Sequence, residues 1–210
     1  MPEYAELLNG YRRFRADSYP ALQEKYADLV TNGQHPKLMV ISCSDSRVEP
    51  ARIFDVDPGE LFVVRNVAAL VPPFGAGHSV ASAVEFAVQF LEVKQILVMG
   101  HGQCGGCKAS LTRGFAGKPL GEGGAVDAWT AQLGAVRDQV IAELGAESDK
   151  ALRAMELAAV KHSIANLGTF PWVSEKVANG ALKLRGAYFS ISEGVLYSLN
   201  ADTGEFISEE

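Results

Sequence analysis

The chain is short of cysteine and has no long apolar run. Three cysteines in 210 residues are an odd number and make a poor disulfide framework. A reduced, cytosolic setting suits them better, and there cysteines more often bind metal or do chemistry. No apolar stretch approaches the roughly 18 residues that a membrane-spanning helix needs. Residues 1–20 carry charges through their apolar positions, which is not the pattern of a signal peptide. The expected location is therefore cytoplasmic, with no membrane partner. No Lys/Arg cluster offsets the formal net charge of −6, so nucleic acid is not an expected partner either. Repeats, low-complexity tracts and linkers are also missing, and residues 1–210 are expected to form a single domain.

What is present is an ordinary globular mixture, 48% apolar and 21% charged, long enough to bury a full core. Tyr4, Leu7, Leu8, Tyr11 and Phe14 recur at helical spacing, then Leu22, Tyr26 and Leu29 do the same. This predicts two helices, separated at Tyr19-Pro20. Arg12, Arg13 and Arg15 read as a solvated face of the first. Apolar, β-branched runs at 37–42, 61–64 and 95–99 read as strands. Helices are expected over 79–93, 107–113, 126–144 and 148–167, and from Pro171 to the Asn179-Gly180 stop. Two alternating segments, 182–192 and 195–199, read as further strands. The fold class is α/β: a central, mostly parallel sheet flanked by helices, with an N-terminal helical arm (residues 1–34) and C-terminal helices plus edge strands.

Two turns carry the chemistry. Cys43-Ser44-Asp45-Ser46-Arg47 follows the first strand, and His101-Gly102-Gln103-Cys104 follows the third. If those strands are neighbours, both turns lie at the C-terminal edge of the sheet. Each residue alone has a plain reading: a buried cysteine is usually a small core residue, and a lone histidine is usually structural. Together, two thiolates and an imidazole make a zinc donor set that leaves a fourth position open, a catalytic rather than structural count. A thiolate-rich site is a weak Lewis acid and needs help. Asp45 can accept a hydrogen bond from water on the metal, and Arg47 can hold Asp45 in a bidentate pair. Elsewhere the same pair would be an ordinary surface ion pair.

Cys-x-Asp-x-Arg followed far downstream by His-x-x-Cys resembles the β-class carbonic anhydrases. The resemblance extends through 58–68, 100–106, 166–173 and 186–188, and spans roughly residues 35–200. It implies one zinc per chain on Cys43, His101 and Cys104, with Asp45 and Arg47 as the catalytic dyad. It implies reversible hydration of carbon dioxide to bicarbonate and a proton, by attack of zinc-bound hydroxide. Carbon dioxide offers few polar handles, so the pocket should be apolar, with Val67, Phe86 and Gly105 as candidate lining residues. His78 and His162 are weak candidates for carrying the proton away. The resemblance also implies a homodimer or higher homo-oligomer, with the arm packing on a second copy. Some members of this family let the aspartate bind zinc at lower pH, using a bicarbonate pocket with a tryptophan, an arginine and a tyrosine. Here Val40 stands at the tryptophan position, Arg65 is present, and the tyrosine position reads as Phe189. The expectation is an open site with Asp45 paired to Arg47.

Other readings stay open. Relatives in this fold hydrolyse carbon disulfide or carbonyl sulfide with similar ligands. A structural zinc module would need a fourth ligand such as Cys107. Cys104-Gly105-Gly106-Cys107 is also formally a redox motif, although Cys107 reads better as helix packing.

Overall fold

A computed structural model describes residues 3–76 and 78–210; Met1, Pro2 and Gly77, which belong to the expected 1–210 unit, lie outside the described residues. In chain order the elements are α1 (Tyr4–Arg13), α2 (Tyr19–Asn32), β1 (Leu38–Cys43), α3 (Pro50–Ile53), β2 (Leu61–Asn66), α4 (His78–Glu85), β3 (Gln95–His101), α5 (Gly105–Thr112), α6 (Gly124–Thr130), α7 (Gly134–Leu144), α8 (Asp149–Leu167), α9 (Pro171–Ala178), β4 (Lys183–Ser190), β5 (Val195–Leu199) and β6 (Phe206–Ser208). The six strands form one mixed sheet in the order β2-β1-β3-β4-β5-β6. The first four are parallel and the last two pairings antiparallel. The α/β class with helices flanking a mostly parallel sheet is thus observed.

The central strands are apolar on both faces because both faces are covered. Met39 and Ile41 of β1 and Ile96 and Val98 of β3 pack with Val84 of α4, Val160 of α8 and Val173 of α9. Val40, Leu97, Met99 and Ala187 form the opposite face, against Ile53 and Phe54. Fully burying each such side chain contributes about 1.5–3 kcal/mol. Helix α8 lies unusually close to the sheet. A Cβ on Gly100 would meet Val160 Cγ2 at 2.6 Å, and one on Gly186 would meet Ile164 Cδ1 at 2.8 Å.

Four details differ from expectation. The arm is not divided at Tyr19-Pro20. Phe14–Ser18 instead form a π-turn between α1 and α2, with Tyr19 N–H donating to the Phe14 carbonyl. Proline lacks an N–H and its ring crowds the carbonyl four residues back, and the wider turn absorbs both. The helix expected over 79–93 likewise passes from α4 into a π-turn at Phe86–Phe90. The segment 126–144 is split by a 3₁₀ turn at Ala131–Leu133. The short strand β6, paired to β5, was not expected; three residues are too few to show alternation.

Candidate metal centre

Strand order builds the crevice. From β1 the chain crosses outward to β2, then returns to β3 on the other side of β1. The loops after β1 and β3 therefore diverge and leave an opening at the carboxyl edge. The register pairs Ser42 with Met99, so Cys43 and His101 leave the sheet at nearly the same level. Gly102 N–H donates to the Phe189 carbonyl at 3.0 Å, tying the second turn to β4. Cys104 then stands as the N-cap of α5, where the positive helix end favours a thiolate.

The structure brings Cys43, His101 and Cys104 together. Their ligand atoms all lie within 4.8 Å of one another, and the two sulfurs are 4.0 Å apart. All three side chains are buried. His101 Nδ1 lies 2.9 Å from the Gly102 carbonyl oxygen. A carbonyl only accepts, so Nδ1 carries the proton and Nε2 keeps its lone pair. That Nε2 is buried with no hydrogen-bond partner.

A divalent cation fits this set. The Cys43 thiol is pushed up to about 12, first by the neighbouring Cys104 thiol and then by burial. The Cys104 thiol is also pushed up to about 12, chiefly by Cys107, with burial adding to it. Two buried thiolates side by side need a cation between them. Tetrahedral zinc with Zn–S bonds of about 2.3 Å sets its sulfurs about 3.8 Å apart, close to the separation seen here.

Asp45 stands beside the triad, its Oδ2 3.9 Å from His101 Nε2. Arg47 donates to it from Nε (2.8 Å), from Nη2 (2.6 Å) and from the backbone N–H (3.0 Å). The guanidinium holds the Asp45 carboxyl well below the usual carboxylate range, against the opposing effect of burial. Arg47 Nη2 also reaches the Gln103 carbonyl at 3.0 Å, so one side chain links both turns.

Sequence reasoning leaves out two contributors and names a third, Arg65, only as the arginine of a bicarbonate pocket. Arg65 clamps the first turn: its Nε donates to the Cys43 carbonyl (3.0 Å), its Nη2 to the carbonyls of Asp45 (2.7 Å) and Val48 (3.1 Å), and its Nη1 to the Glu49 carboxylate. Glu156 of α8 is buried and accepts from Cys104 N–H at 2.8 Å and from the Tyr188 hydroxyl at 3.0 Å. Burial pushes the Glu156 carboxyl up, opposed by these two donors. Its signal was present, because Leu152, Glu156 and Val160 share one helical stripe and a lone acid there needs a buried donor. The other omitted contributor is the backbone N–H of Ala68, 3.3 Å from Cys43 Sγ, for which the sequence carries no signal.

The remaining candidates fall in different places. Val67 lines a largely apolar cavity of about 460 Å³ with Pro72, Val80, Val126 and Trp129. A Cβ on Gly105 would meet nothing within 4 Å, leaving its side of the turn open. Phe86 packs its ring on Phe62 and Phe90, beside the edge strand β2, and remains exposed. It is the first residue of the π-turn that ends α4. Cys107 is buried in the core around Leu111 and Met155 and is not part of the converging group. His78 lines the Val67 cavity, while His162 pairs with Asn166. Val40 is buried in the sheet core, and Phe189 pairs with His101 across β3 and β4.

A parallel-rich sheet thus carries at its carboxyl edge a buried Cys-His-Cys group that could hold a metal ion, with an Asp-Arg pair beside it. The carbonic anhydrase family model matches residues 38–196. A carbonic anhydrase of Pseudomonas aeruginosa is 35% identical over 204 residues, covering 97% of this chain and 90% of that protein. The mitochondrial β carbonic anhydrase 6 of Arabidopsis thaliana is 35% identical over 192 residues, and the match covers 90% of this chain but only 64% of that longer protein. The solved β-carbonic anhydrase CcaA superposes with a TM-score of 0.91 at 30% identity, over 98% of this chain and 92% of that one. A tetrameric β-carbonic anhydrase of Sordaria macrospora superposes with a TM-score of 0.77 at 29% identity, over 94% of this chain and 95% of that one. The chain belongs to the carbonic anhydrase family, a family of lyases, and its neighbours are of the β class.

Proposed function

We propose that this chain binds one zinc ion through Cys43, His101 and Cys104 and catalyses the reversible hydration of carbon dioxide to bicarbonate and a proton. The observation that carries the reading is the orphaned Nε2 of His101, buried between two thiols and facing Asp45. When bound, zinc supplies the Lewis acidity that makes water a nucleophile near neutral pH. Asp45 would accept a hydrogen bond from a water held there and so orient it toward the substrate. Arg47 keeps Asp45 ionised and facing the triad. Val67 and the open side of Gly105 border the path of an apolar substrate.

The same reading takes residues 1–210 as a single domain acting in the cytoplasm as a homo-oligomer. Helix α1 buries none of its side chains, and Tyr4, Leu7 and Tyr11 are exposed on it, a face suited to a second copy. The tetrameric Sordaria relative supports this. Among the described residues no helix is long and apolar enough to cross a membrane. Metal analysis with stopped-flow hydration assays on wild type and Asp45→Asn tests the function. Release of sulfide from carbon disulfide or carbonyl sulfide, with no carbon dioxide hydration, would reassign the substrate.

A further inference from the structure

Two consecutive non-glycine residues after β2 hold left-handed backbone: Ala68 at φ 65° and Ala69 at φ 54°. A β-carbon makes that conformation unfavourable, so it persists only where its surroundings impose it. Here they do so from several sides. Asn66 brackets the turn, accepting from Leu70 N–H at 2.8 Å and donating to the Leu70 carbonyl at 2.9 Å. Ser163 Oγ donates to the Ala69 carbonyl at 3.2 Å. Trp129 donates its indole N–H to the Val67 carbonyl at 2.8 Å. Gly106 leaves room for the turn, since a Cβ there would meet Val67 Cγ1 at 2.6 Å and Ala68 Cβ at 2.9 Å.

The product of these constraints is one peptide unit, Val67–Ala68, with a partner at each end. Its carbonyl accepts from Trp129, and its N–H points at Cys43 Sγ, 3.3 Å away. The two groups of a peptide share one conjugated system. A donor on the oxygen draws electron density from the nitrogen and makes the N–H a stronger donor. The sulfur and the N–H end at Ala68 are buried from water, where such polarisation is least screened, while the Trp129 end lies nearer the surface.

We propose that Trp129 is a positioning residue that acts through the Val67–Ala68 peptide to withdraw charge from the Cys43 thiolate. A site with two thiolate ligands donates heavily to its metal and weakens its Lewis acidity. An N–H donor on one sulfur partly restores it, and the indole sets how strongly that donor acts. The inference rests on the triad being the metal site.

The test uses the full chain loaded with cadmium-113, and separately with cobalt(II). In wild type, a cadmium–proton correlation transmitted through the sulfur should appear at the Ala68 amide. Trp129→Phe, which keeps a ring but has no N–H, should weaken that correlation and move the sulfur-to-cobalt charge-transfer band to lower energy. Zinc affinity, by chelator competition, should fall about 10-fold, as for other residues that support a ligand. A purely structural tryptophan would lower the melting temperature and leave the band in place, which overturns the inference. So does a cadmium-loaded wild type with no correlation at Ala68, a result independent of how any variant folds. Gly106→Ala displaces the same peptide from its other side and should shift the band in the same direction; an unmoved band there also overturns the inference. Failure of wild type to bind cadmium or cobalt at one per chain would defeat the metal-site reading itself.

Discussion

Asp45 and His101 stand 3.9 Å apart, carboxylate Oδ2 to imidazole Nε2, too far for a hydrogen bond and near enough to share one small ligand. Arg47 keeps the carboxylate there with two side-chain contacts. Asp45→Asn should retain zinc and lose about 100-fold in hydration rate, since an amide oriented by Arg47 no longer accepts as the carboxylate does. Arg47→Lys should also lose activity, because an ammonium cannot make the two-pronged contact. Stopped-flow rates beside zinc content check both. An Asp45 oxygen within about 2.2 Å of zinc in a crystal grown near pH 8 would contradict the open arrangement.

The ligand set has a direct test. Cys43→Ser, His101→Ala and Cys104→Ser should each purify with well under one zinc per chain. Cys107→Ala should keep its zinc, because Cys107 is not part of the converging group. Elemental analysis decides this. Loss of zinc from Cys107→Ala would mark a closed four-ligand site.

Acid titration follows from the depressed Asp45 carboxyl. A group whose folded pKa lies below its unfolded value stabilises the fold fully above the unfolded value, near 3.9. The contribution is lost as pH falls further, toward the folded value. The Asp45 carboxyl carbon should therefore show no NMR titration between pH 8 and 4. In Arg47→Ala the step should move up toward ordinary carboxylate values. Any pH dependence of activity between 6 and 9 must then come from a group other than Asp45.

Glu156 ties α8 to the second turn. Glu156→Ala leaves the Cys104 N–H and the Tyr188 hydroxyl without their shared acceptor, at a cost of about 2 kcal/mol or more. Glu156→Gln keeps an acceptor and should cost less. Denaturant unfolding of the two variants gives the comparison.

The close approach of α8 can be tested at Gly100. Gly100→Ala sets a Cβ against Val160 Cγ2 and should destabilise by about 1–3 kcal/mol. Adding Val160→Ala makes room, and the double variant should be less destabilised by the Gly100 change than wild type is. Additive losses would show that α8 is not held by that contact.

Much of this was legible in the chain. The runs at β1, β2 and β3 are apolar enough to declare strands, and the residues just past β1 and β3 declare their own chemistry. A proline weighs against continuity and so predicts two helices in the arm, and the sequence has no mark for a π-turn. Phe86 is a candidate for the pocket wall only because that wall should be apolar, and the sequence does not say which neighbours its ring meets. Arg65 and Glu156 look like polar residues in apolar company, and only their partners give them work.

The sequence by itself determined which donor groups exist, which strands precede them and the family they resemble. These follow from residue identity and short-range periodicity. Only the tertiary structure decided that β1 and β3 are neighbours in register, that Nε2 of His101 is left without a partner, and that Arg47 links both turns. It alone decided that a strained Ala68–Ala69 turn aims a backbone N–H at Cys43. Those depend on pairings between residues far apart in the chain, and on a backbone conformation that alanine ordinarily avoids.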